Sequence, residues 1–120
     1  MATIPYTSVT PISGIEIVTW ANLANGDDGA DYVSQRSADR SIQVEGTFGA
    51  AGSVRIEGSN YATAALYQPF GDINLASIDV LTASRRLVQL LEAAYRIRPR
   101  VTAGDGTTSL TITLYLLGRQ

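Results

Sequence analysis

Residues able to do chemistry are few in this sequence, and the missing types restrict it most. There is no Cys and no His. That removes thiolate nucleophiles, thiolate metal sites, imidazole ligands and imidazole proton shuttles together. Lys is absent as well, so all nine basic residues are Arg and Schiff-base chemistry is excluded. Carboxylates remain. The run Asn25-Gly26-Asp27-Asp28-Gly29-Ala30-Asp31 could begin a calcium cage, which takes about six to eight oxygens. It lacks the alternating ligands and closing Glu of an EF-hand loop, and Asn-Gly and Asp-Gly are ordinary turn pairs. A solvated turn is expected, with no metal. Gly104-Asp105-Gly106-Thr107-Thr108-Ser109 is likewise no phosphate cradle, because a P-loop needs a Lys and a following helix. Glu16, Glu45, Glu57 and Glu92 stand singly, without local sign of a glycosidase pair. No enzymatic activity, catalytic residue or cofactor is expected.

Two constellations point instead to binding. Trp20 with Tyr32, Tyr61, Tyr67 and Tyr95 could stack against sugar faces, making a carbohydrate-binding module one reading. A lone Trp in a small sandwich is more often core. Arg96, Arg98 and Arg100 recur at a period of two, on one face of one strand, with Arg85 and Arg86 shortly before. Three like charges in a row repel and are better placed opposite carboxylates. These five Arg are the candidate protein-interface residues, a solvated sheet face being the alternative. The charge of −2 is unevenly spread: residues 1–84 carry three Arg and nine acids, residues 85–120 six Arg and two acids. A two-signed chain suits oriented contacts or self-association better than phosphate binding, which favours a net basic domain. Nucleic acid is not expected as a partner.

The elements that must position these residues read mostly as strand. Ile42, Val44, Gly46 and Phe48 alternate with Gln43, Glu45 and Thr47; after Gly49-Ala50-Ala51-Gly52 the pattern resumes with Val54 and Ile56. Two alternating runs around a Gly-bounded tetrapeptide predict a hairpin, with Glu45 opposite Arg55 so that unlike charges meet. Tyr95, Ile97 and Val101 alternate with the Arg row, and Leu110, Ile112, Leu114 and Leu116 follow the Gly104-Asp105-Gly106 turn. This predicts a second hairpin. Weaker strands are expected at residues 15–20, 32–35, 63–67 and 73–77. Short strands about ten residues apart predict a mainly β fold, a small antiparallel β-sandwich or jelly roll. The stripe Val80, Leu87, Val88, Leu91 and Tyr95 predicts at most one short helix, within about 82–93.

At 120 residues, 45% hydrophobic and 17% charged, the chain suffices for one globular domain. Residues 1–14, with Pro5, Pro11 and Gly14, are expected as an extended N-terminal arm that packs little on its own domain, and 15–120 as a single β-sandwich domain. The aliphatic cluster Leu114–Leu117 is far short of the ~20 residues of a spanning helix. Residues 1–20 carry Glu16 and no basic residue, so a secretory signal with its positive n-region is not expected. No membrane partner is expected.

Several segments together carry a resemblance. Gly46-Thr47-Phe48-Gly49, Val54-Arg55-Ile56-Glu57-Gly58-Ser59-Asn60, Ile97-Arg98-Pro99-Arg100-Val101-Thr102 and Gly104-Asp105-Gly106-Thr107-Thr108-Ser109-Leu110-Thr111 occur in an order and spacing that resembles the head decoration, or capsid cement, proteins of tailed bacteriophages. The likeness runs from about Trp20 to Arg119; none of its motifs is catalytic, and their co-occurrence carries it. The resemblance implies a structural virion protein, made in the host cytoplasm, that binds the outer capsid surface and stabilises the shell. Its implied partners are the major capsid protein and itself, as a homo-oligomeric dimer or trimer. A tail or fibre structural protein would suit the same composition.

Overall fold

The computed structural model describes residues 2–33, 37–61, 67–69, 79–81, 87–89 and 95–118. In chain order their strands are β1 (Thr3–Ile4), β2 (Tyr6–Ile12), β3 (Ile15–Leu23), β4 (Asp28–Gly29), β5 (Tyr32–Val33) and β6 (Ser37–Thr47). Then come β7 (Ser53–Ser59), β8 (Gln68–Pro69), β9 (Asp79–Leu81), β10 (Leu87–Gln89), β11 (Arg96–Ala103) and β12 (Ser109–Gly118). They form the two sheets of a small β-sandwich. One is five-stranded, in the order β10-β6-β12-β3-β2. The other is seven-stranded along the path β1-β4-β11-β7-β8, with β5 also on β11 and β9 also on β7.

The apolar residues of the alternating runs meet between the sheets. Val18, Trp20, Ile42, Val44, Leu110, Ile112, Leu114 and Leu116 come from the five-stranded sheet. Tyr32, Val54, Ile56, Ile97 and Val101 face them from the other. Each fully buried aliphatic of this size contributes roughly 1.5–3 kcal/mol relative to an exposed one. Gly29 is needed where β4 packs against the Trp20 ring. A Cβ there would lie 2.5 Å from the Trp20 ring and 2.7 Å from the Pro99 ring.

Neither predicted hairpin forms. β6 pairs with β12 and β10, whereas β7 pairs with β11, β8 and β9. The Gly49–Gly52 turn and the Gly104–Ser109 turn each carry the chain from one sheet to the other. Glu45 therefore lies opposite Thr111, and Arg55 opposite Arg100 and Asp79. Alternation demands only that each inward face find another apolar face. An arch between sheets satisfies that demand by stacking the two runs across the core.

The two arches lie side by side and are tied to one another. Thr108 Oγ1 donates to the Phe48 carbonyl (2.8 Å) and accepts from the Asp105 N–H (2.9 Å). The Asp105 carboxylate accepts from the N–H groups of Ala50 (2.8 Å) and Thr107 (2.8 Å) and from the Thr107 hydroxyl (2.7 Å). The Thr107 hydroxyl above all, then the two N–H groups, hold the Asp105 carboxyl down at about 2. Gly49 sits beneath this network at φ +73°, and a Cβ there would come within 2.3 Å of Asp105 Oδ1.

Two further expectations are corrected. The helix considered within 82–93 has strand at its centre: Leu87, Val88 and Gln89 pair antiparallel with Gln43, Ile42 and Ser41, and the rest of the span lies outside the described residues. The open edge of β6 offers backbone partners there, which outweigh a weak helical stripe. The expected arm, described from residue 2 to 14, is extended but lies on its own domain. β2 runs antiparallel to β3, β1 runs parallel to β4, and the Ala2 N–H donates to Asp27 Oδ1 (2.8 Å). The expected strands at 63–67 and 73–77 fall almost wholly outside the described residues.

Candidate interaction face

The pleat of β11 turns Ile97, Pro99 and Val101 into the core and Arg96, Arg98 and Arg100 onto the outer face. The structure brings these three together and surrounds them with acids from β4, from β7 and from the link between β4 and β5. Arg96 Nη1 donates to Asp31 Oδ2 (2.9 Å). Arg98 reaches both ways, with Nη1 on Asp28 Oδ2 (3.2 Å) and Nε on Glu57 Oε1 (3.1 Å). Arg100 Nη1 is 4.0 Å from Glu57 Oε2, and its side chain is 44% exposed, against 19% for Arg98 and 8% for Glu57. Arg85 and Arg86 lie outside the described residues.

Tyr67 completes the cluster. The Arg98 guanidinium carbon is 3.5 Å from the centre of its ring, a cation–π contact, and the phenol donates to Asp31 Oδ1. Burial, then the Asp31 hydrogen bond, push the Tyr67 phenol up to about 12. At the end of the row, Arg96 Nε donates to the Tyr61 carbonyl (2.8 Å) and the Tyr95 N–H donates to Asn60 Oδ1 (3.0 Å). Tyr61 and Tyr95 are exposed.

The carboxylates that a metal would have used are thus occupied within the chain. Asp27 accepts from the N–H groups of Ala24 (2.9 Å) and Ala2 (2.8 Å), closing the turn, while Asp28 and Asp31 hold Arg. Glu16 accepts from the Ser8 hydroxyl and from Tyr32 (2.6 Å). Burial first, and then that Glu16 bond, raise the Tyr32 phenol far above its ordinary value. The aromatic platform does not assemble either. Trp20 and Tyr32 are buried, with the Trp20 indole N–H donated to the Ala30 carbonyl (2.9 Å). Their remaining edges meet Tyr6, at ring separations of 5.9 and 5.7 Å.

The sequence reading found the Arg row but not its partners. In the sequence Asp28 and Asp31 read as turn residues and Glu57 as a lone carboxylate, whereas in the fold all three hold Arg of β11. Parity held the missing signal, since Arg55 and Glu57 share an outward face as the Arg residues do.

Fold and face together define a small, mainly antiparallel β-sandwich with a charge lattice on one outer surface. No family model matches the sequence, and no curated protein matches it. Among solved structures it is similar to the SPBc2 prophage-derived protein YomS, with a TM-score of 0.67 and 9% identity, over 92% of this chain and 100% of that one. KdgF from Halomonas sp. aligns at a TM-score of 0.38 and 14% identity, over 96% of this chain and 79% of that one. The first of these likenesses shows the fold.

Proposed function

We propose that this is a structural protein of a tailed-phage particle, and within that class a head decoration protein that binds the outer capsid surface and stabilises the shell. The observation that carries the reading is the shared fold with a prophage-derived protein along that protein's whole length. The order of the Gly-turn and Arg-strand segments along this sequence adds to it. The protein acts by binding rather than catalysis. Its partners are the major capsid protein and further copies of itself, with no nucleic acid or membrane involved.

The Arg row enters this reading in altered form. Arg96 and Arg98 are largely satisfied within the chain, whereas Arg100 keeps much of its side chain in solvent and only a long contact to Glu57. Arg100 is therefore the member best placed to meet a carboxylate on the shell, its planar fork suiting a bidentate pair. The test is to mix purified protein with purified phage particles that lack it, then locate it by electron microscopy. Regular density on the head is the expected result, and Arg100→Glu should lower occupancy while leaving the melting temperature within a few degrees. Density on the tail would favour the tail or fibre role, and no binding to particles would overturn both.

A further inference from the structure

We infer that β2 is a self-association edge, on which a second copy of this chain adds its own β2 antiparallel about a twofold axis. The inference deepens the self-association part of the proposed function and does not depend on the capsid. β2 is the outermost strand of the five-stranded sheet, and all seven of its residues are exposed. Its inner side pairs with β3, Tyr6 opposite Trp20 through Val9 opposite Ile17. The outward N–H and C=O groups of such an edge are a template for another strand.

Proteins ordinarily blunt edges of this kind with charge, cover or a break. Tyr6–Ile12 contains no charged residue, and none precedes Glu16 in the sequence. Glu16 is itself held by Ser8 and Tyr32. The breaks present are Pro11 and the irregularity between Val9 and Ile12, which confine continuous pairing to Tyr6–Thr10. The outer face beside this edge is apolar. Val9 is 58% and Ile12 62% exposed, and the register places them in rows with Ile17 and Tyr115, and with Ile15 and Leu117.

Charge selects the occupant. The molecule is two-signed elsewhere, so a partner recognised by charge would find nothing on this edge. A second copy brings an equally neutral edge of equal length. Centring the twofold on Ser8 pairs Tyr6 with Thr10 and Thr7 with Val9. This even register keeps each copy's apolar row on the same outer face. Residues facing across an antiparallel pair lie about 4.5–5.5 Å apart at Cα, within the roughly 4.4–6.8 Å that a disulfide spans.

The experiment uses sedimentation of the whole chain over a wide concentration range. The wild type should dimerise, and high salt should leave the dimer intact because no ion pair holds it. The double variant Thr7→Lys/Val9→Lys places like charges on both copies and should weaken dimerisation at least about tenfold, with an unchanged circular dichroism spectrum. Ser8→Cys, in a chain without other cysteines, should cross-link into a covalent dimer on mild oxidation. A monomeric wild type, or self-association that survives the double substitution, would overturn the inference. Particle binding by such a monomer would leave the decoration reading standing.

Discussion

On the outer face of β11, Arg96, Arg98 and Arg100 stand where β12 carries Thr111, Thr113 and Tyr115 on the opposite side of the sandwich. Both strands are central in their sheets, and both turn an aliphatic row inward. The charged face is closed within the chain: each Arg of β11 has an acid on a neighbouring strand or, for Arg96, in the link between β4 and β5, and Tyr67 lies over Arg98. On the opposite face the stretch from β12 to β2 is neutral among the described residues, with Glu45 on the β6 side opposite Thr111. Its chemistry is hydroxyls grading into exposed aliphatics toward β2. Polar groups that complete one another inside a molecule leave little for a partner, while an unfinished hydrogen-bonding edge remains available for one.

The largest effect should come from reversing the centre of the lattice. Arg98→Glu would set a further carboxylate among Asp28, Glu57 and Asp31. Removing one member of a fully buried pair costs several kcal/mol; with the Arg98 side chain 19% exposed, we expect about 2–4 kcal/mol in denaturant unfolding. A loss below about 0.5 kcal/mol, the usual scale of a surface change, would mean the lattice is a solvated face like its neutral counterpart.

The corner joining the sheets ranks next. Thr108→Val removes the donor to the Phe48 carbonyl, a buried bond between the arches. An unsatisfied buried acceptor costs about 1–3 kcal/mol, and that loss should appear as a lower denaturant midpoint with an unchanged m-value. The same corner gives a pH signature. The Asp105 carboxyl is lowered from 3.8 to about 2, so its contribution is complete above 3.8 and fades as pH falls toward about 2. Asp105→Asn should flatten the stability profile across that window, and an unaltered acid slope would count against the network. The smallest effect belongs to the neutral face. Thr113→Ala should change stability by no more than about 0.5 kcal/mol, which sharpens the contrast with Arg98 at the matching depth of the other sheet.

Much of the fold was legible because burial leaves a period in the sequence. The alternation of Ile42, Val44, Val54, Ile56, Ile97, Leu110, Ile112 and Leu114 marked the core residues, and all are buried. The turns at Gly49–Gly52 and Gly104–Ser109 are legible in place but not in kind, since each joins two sheets rather than closing a hairpin. The Arg row was legible as a face. Its carboxylates were not, because Asp28, Asp31 and Glu57 come from segments up to 70 residues away.

By itself the sequence determined which side of each strand meets the core, where the chain turns, and that no nucleophilic thiol, imidazole or amine side chain is present. Only the tertiary structure decided which strands share backbone hydrogen bonds. A run with one apolar face is satisfied equally by a hairpin folded on one sheet and by an arch spanning two, since alternation reports burial and carries no label for the ladder partner. Ladder choice rests on non-local pairing, here β6 with β12 and β7 with β11. That choice set the Arg row against the chain's own acids on the outer face and left β2 at an open edge.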